Sequence, residues 1–181
     1  MDIGIRLTKW LTILNKEFGG GSDRSCVISA CSIIDHLLGQ TLNTFLVPNP
    51  TASDPLFSGP GAPLGNFSAR IDMAFRLGLI GHRLSRDLHR LRQIRNDFAH
   101  SFESTTLSER KYQDKVNAVI SSLSLEESVP NMFDKPYDNP RGRFTICVLL
   151  ILVHLEHTSQ QRASLKPCNF DGVLDMKISN S

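Results

Sequence analysis

CVISACSIIDHLLGQTLNTFL, Cys26 to Leu46, is the stretch whose reading decides the fold. Its apolar residues recur round most of a helical circumference. A helix built from them is hydrophobic on nearly every side and belongs at the centre of a bundle. Gly19, Gly20 and Gly21 favour no helix and separate it from what precedes. Ser22 or Asp23 is placed to cap its start, and Pro48 and Pro50 stop it. Asp35 lies inside this run, and a carboxylate buried there needs a partner.

Working outward, Ile3 to Phe18 carries Ile3, Leu7, Leu11 and Leu14 at spacings of three and four, which predicts a helix with one apolar face. Downstream, residues Asn49 to Asn66 form a loop holding Gly59, Pro60, Gly61, Pro63 and Gly65. Such a loop is either functional or a rigid turn tying two helices. It is no phosphate-binding loop, because no Gly-Lys-Ser/Thr follows. A third helix is expected over Ser68 to Leu79, burying Ile71, Ala74, Phe75 and Gly78. A fourth, capped by Ser85, runs to about Phe98, and a fifth covers Leu107 to Leu123. A Pro/Asn/Gly stretch, Pro130 to Gly142, precedes a sixth from Arg143 to about Arg162. No internal repeat and no strand alternation stands out. The expected fold is all-α, a single-domain bundle of about six helices with a long Gly/Pro loop between the second and third. The domain is expected over residues 1–165, with a polar tail over 166–181.

The chain has 181 residues, 40% hydrophobic and 21% charged, with a formal net charge of +2. So small a charge confines any nucleic-acid surface to a local patch. The four cysteines, Cys26, Cys31, Cys147 and Cys168, form no Cys-x-x-Cys pair, and no histidines cluster at zinc-ligand spacing. No metal and no cofactor is expected; Cys26 and Cys31 read as small core residues, and the four as reduced structural cysteines. The start of the chain lacks a signal-peptide core. The longest apolar run, Thr145 to Leu155, is eleven residues, too short to span a bilayer as a helix. The expectation is therefore a cytoplasmic protein with no membrane partner.

Most chemical information lies in SRDLHRLRQIRNDFAHSF, Ser85 to Phe102. Leu84, Leu88, Leu91, Ile94, Phe98 and Phe102 share one stripe, and Arg95 falls near its middle. An arginine cannot discard its charge, so on such a face it needs a carboxylate, a carbonyl or a phosphate. Asp35 and Asp72 are the candidate ion-pair partners. Arg83, Arg86, Arg90, Arg92 and Arg95 are opposed locally by Asp87 alone. That strip reads either as a phosphate footprint or as a solvated helix face.

His100 follows Arg95 by five residues. Arg and His at similar spacing recur at Arg76–His82 and Arg83–His89, but only Arg95 is followed directly by Asn. The segment from Arg95 and Asn96 to His100 resembles the R-x4-H signature of HEPN domains, helical bundles of which many cut RNA without a metal. The resemblance implies that His100 serves as general acid or base, Arg95 stabilises the phosphate in the transition state and Asn96 orients it. On a straight helix, residues five apart point about 140° away from each other. Such a site needs a helix that ends or bends before His100, or a dimer.

Three stretches together resemble the mannitol operon repressor family. They are DRSCVISACSIIDHLLGQTL (Asp23 to Leu42), LFSGPGAPLGNFSARIDMAFRLGLI (Leu56 to Ile80) and DLHRLRQIRNDFAHSF (Asp87 to Phe102), and they cover roughly the middle half of the chain. The resemblance implies an all-helical fold and a role in transcriptional regulation without the usual DNA-binding motifs, and no short helix-turn-helix pair stands out in the sequence. Three readings follow. The first is a regulator, expected to be a homodimer, acting on RNA, DNA or a protein partner. The second is a metal-independent RNA endonuclease using Arg95, Asn96 and His100 across a dimer, with Arg83, Arg86, Arg90 and Arg92 on the nucleic acid. The third is a structural bundle in which His100 meets the negative end of a helix dipole.

Overall fold

In the computed structural model, which describes residues 3–18, 20–51, 53–101, 105–123, 138–161 and 163–167, six helices follow one another. They are α1 (Ile3–Phe18), α2 (Asp23–Phe45), α3 (Phe67–Arg76), α4 (His82–His100), α5 (Arg110–Ser122) and α6 (Pro140–Gln161). No strand occurs among the described residues. The fold is all-α, as the sequence predicts. Phe102 and most of the Pro130–Gly142 stretch lie outside the described residues, as does nearly all of the expected tail.

Helix α2 is central and packs against α1, α3, α4 and α6. Its start is held as expected: the Ser22 hydroxyl accepts from the Ser25 amide at 3.2 Å, satisfying one of the free amides of the first turn. By length and composition alone α2 could cross a membrane. Half of its apolar window is instead buried inside the bundle, the pattern of a core helix. Cys26, Val27, Ala30, Cys31, Ile34, Leu38 and Leu42 form that buried surface.

Helix α6 is the second core helix. From Phe144 to Val153 every residue is buried, and it packs on α1, α2 and α5. Burying each large aliphatic side chain there contributes roughly 1.5–3 kcal/mol. Arginines close the ends of the bundle. Arg141 donates to the carbonyls of Phe18 and Gly21 at 2.6 and 2.8 Å, and Arg24 donates to those of Ala99 and Ser101 at 2.7 and 3.0 Å. Each supplies positive charge where a helix leaves carbonyls unpaired.

The Gly/Pro loop folds into turns. Gly59 and Gly61 adopt φ of 100° and 75°, conformations costly for a residue with a Cβ. Asn66 ends the loop and caps α3, accepting from the Ala69 amide at 3.0 Å. Helix α3 ends at Arg76, short of the expected Leu79, because Gly78 turns to φ 68°. Phe75, expected in the core, is 38% exposed and meets the His82 ring edge-on, the centroids 5.9 Å apart. Helix α4 begins three residues before the expected cap. Gly81 precedes it, while Ser85 is buried within it.

Candidate functional site

Helix α4 carries the residues that the sequence singles out. It packs against α2, α3 and α5 through Leu84, Leu88, Leu91, Ile94 and Phe98, which leaves one outer face in solvent. It is one unbroken helix to His100. Arg95 and His100 are both exposed, and the continuous helix turns them about 140° apart. No hydrogen bond joins them among the described residues. Arg95 Nη1 instead donates to the Asn96 side-chain oxygen at 3.0 Å.

Neither acidic candidate holds Arg95. Asp35 is bound by Arg70, whose Nη1 lies 2.9 Å from Oδ1. Asp72 lies 3.1 Å from His89 Nε2, joining α3 to α4. Arg95 sits on the apolar stripe, but its long stem carries the guanidinium out to water.

The arginine strip divides. Arg83 and Arg86 are exposed. Arg90 is drawn to Asp87, with Nη1 2.6 Å from Oδ1. Arg92 is half-buried, and its Nε has no hydrogen-bond partner among the described residues. The exposed basic surface among the described residues is therefore Arg83 and Arg86, extended by Arg76, with the His82 ring beside it. Among the described residues Arg86 makes a long contact to Asp87, 3.9 Å.

Asp87 reads in the sequence as a surface counter-charge. In the fold it is fully buried, accepting from Arg90 and from the Ser122 hydroxyl of α5. The sequence contained the signal: at about 100° per residue Asp87 projects between Ile94 and Phe98, inside the apolar stripe. Arg70 is the other residue missed. It clamps α2, α3 and the loop through Asp35 and the Leu64 carbonyl, and a pairing between α2 and α3 leaves no periodic trace.

Cys26, Cys31 and Cys147 are buried free thiols. Burial pushes Cys26 up to about 11 and Cys31 up to about 12, and raises Cys147 as well. Such thiols carry almost no thiolate near neutral pH and are poor nucleophiles. Cys168 lies outside the described residues. Among the described residues no three His, Cys, Asp or Glu side chains gather as a metal site.

No family model and no curated protein matches the sequence. Among solved structures, the fold is similar to that of a chain in the X-ray structure of the MtlR–HPr complex from Escherichia coli. The TM-score is 0.60 at 17% identity, covering 81% of this chain and 97% of that one. At this identity the likeness is one of fold: nearly the whole of the other chain is reproduced by the six-helix arrangement.

Proposed function

We propose that this chain is a transcriptional regulator of the mannitol operon repressor type that acts by binding another protein. One observation carries the reading: the fold is shared over 97% of a chain from a complex with HPr. The three sequence stretches that resemble the family supply α2, the loop with α3, and α4, so the resemblance follows the helices that pack together. The partner to try first is HPr from the same organism. The regulator works in the cytoplasm as a homodimer, residues 1–165 forming the working domain. The outer face of α4, with His82, Arg83 and Arg86 exposed and Arg76 at the end of α3 beside them in sequence, suits an acidic protein surface or a nucleic-acid backbone.

The direct test is calorimetry of the purified chain against HPr, beside a gel-shift with promoter DNA. Saturable HPr binding weakened by added salt and by Arg83→Glu/Arg86→Glu supports the reading. DNA binding without HPr binding moves it to a direct nucleic-acid regulator.

The second reading, a metal-independent endoribonuclease, draws on the exposure of Arg95 and His100. A second copy could bring the Arg95 of one chain to the His100 of the other. It requires RNA cleavage in EDTA that both Arg95→Ala and His100→Ala abolish. Intact RNA after incubation with folded, dimeric protein removes it.

A further inference from the structure

We propose that the hollow between α2, the Gly/Pro loop and α3 binds a small, neutral, polyhydroxylated molecule of monosaccharide size. The hollow measures about 260 Å³, room for one such ligand. One wall comes from α2, where His36, Gln40 and Asn43 lie four and three residues apart on a single face. All three are exposed, and none of their side chains makes a hydrogen bond within the protein among the described residues.

Arg70 of α3 also lines the hollow, held against α2, and it is set in advance. Its side chain is only 16% exposed. Nε donates to the Leu64 carbonyl at 2.8 Å, and Nη1 donates to the Asp35 carboxylate at 2.9 Å and to the Asp35 carbonyl at 3.3 Å. Nη2 takes part in none of these bonds. The guanidinium packs on Gly39, where an added Cβ would lie 3.3 Å from Nη1 and 3.4 Å from Cζ. Glycine in a helix interior is destabilising relative to alanine; here it makes room for the arginine. From the loop, Asp54 binds the Leu56 amide through Oδ1 at 2.9 Å, leaving Oδ2 available, and the half-buried Phe57 ring completes the lining.

Charge selects the ligand. Asp35 already neutralises Arg70, and Asp54 adds one negative charge, so an anion such as phosphate meets repulsion rather than a clamp. A cation would leave the Arg70 donor unused. A hydroxyl both donates and accepts, so several on one molecule satisfy an imidazole, two carboxamides, a carboxylate oxygen and a guanidinium together. The ring of Phe57 offers an apolar surface to the C–H face of such a molecule. The hollow shares no lining residue with the surface of Arg76, His82, Arg83 and Arg86, and ligand binding and HPr binding can each fail without the other.

The test is calorimetry and ligand-observed NMR on the full chain with D-glucose, D-galactose, D-xylose and sorbitol, with inorganic phosphate and acetate as charged controls. At least one neutral probe is expected to bind saturably and phosphate not at all. Gln40→Ala and Asn43→Ala, both on an exposed helix face, are each expected to weaken binding roughly tenfold while circular dichroism stays unchanged. Absence of binding by all four neutral probes overturns the proposal. So does preferential binding of phosphate, or affinity unaltered in both variants.

Discussion

Helices α4 and α6 are both long and both pack against three neighbours, yet they differ in what they can do. Helix α6 is buried at every position from Phe144 to Val153 and is used up by the core. Helix α4 buries one stripe and leaves a face free. Within that stripe stand two charged residues with opposite fates. Asp87 is fully buried and Arg95 is exposed. The length of the side chain accounts for the difference. A carboxylate one carbon from the backbone cannot reach past its neighbours, so the fold must bring it partners, here Arg90 and Ser122. A guanidinium on a three-carbon stem escapes to water along the edge of the interface.

The comparison is broken most severely from α6. Ile151→Ala is expected to cost about 3–4 kcal/mol, the transfer free energy plus the cavity left behind, read from urea unfolding. A loss below about 1 kcal/mol would show that α6 can collapse around the gap and is no rigid core.

Asp87→Ala comes next, with an expected loss of about 2 kcal/mol, since it strands Arg90 and Ser122 without their acceptor. Arg90 keeps some access to solvent, which holds the figure below that of a fully buried pair. Arg95→Ala is the matched control. Its cost should stay within about 0.5 kcal/mol, and a value near that of Asp87→Ala would mean that Arg95 is structural after all.

The smallest effect is one of pH. Partial burial, with His157 nearby, lowers the pKa of His154 below the usual imidazole value. The folded state therefore takes up a proton less readily than the unfolded chain. Its contribution is complete above the unfolded pKa of 6.5 and is lost as pH falls from there through the lowered folded value. His154→Gln should flatten the stability profile in that window, and an unchanged profile would assign the slope to other groups. Alkylation adds a check on the core. At pH 8, Cys26, Cys31 and Cys147 should resist iodoacetamide in the folded protein and react once urea is added, as peptide mapping would show.

The helices were legible because burial leaves a period. The end of α1 and both ends of α2 follow from Gly19 to Gly21, Ser22 and Pro48, whose effects are local. Helix α4 was displaced at its start because Ser85 suits a cap by type, while packing placed it inside the helix. Arg95 drew attention as a charge on an apolar stripe, and the same projection would have drawn it to Asp87. The hollow beside Arg70 had no linear signature, since its lining comes from residues 36 to 70 across two helices and a loop.

By itself, the sequence determined that the chain is all helical, where its glycines and prolines break it, and that α2 and the Thr145–Leu155 run belong inside. These are consequences of backbone preference and apolar periodicity, which act over a few residues. Only the tertiary structure decided which charged and polar groups meet. It gave Asp35 to Arg70, Asp72 to His89 and Asp87 to Arg90 and Ser122, and it set Arg95 and His100 about 140° apart on one continuous helix. Except for the neighbouring Asp87 and Arg90, those pairings join separate helices, and electrostatic pairing at a distance is set by how helices pack rather than by the order of residues along them.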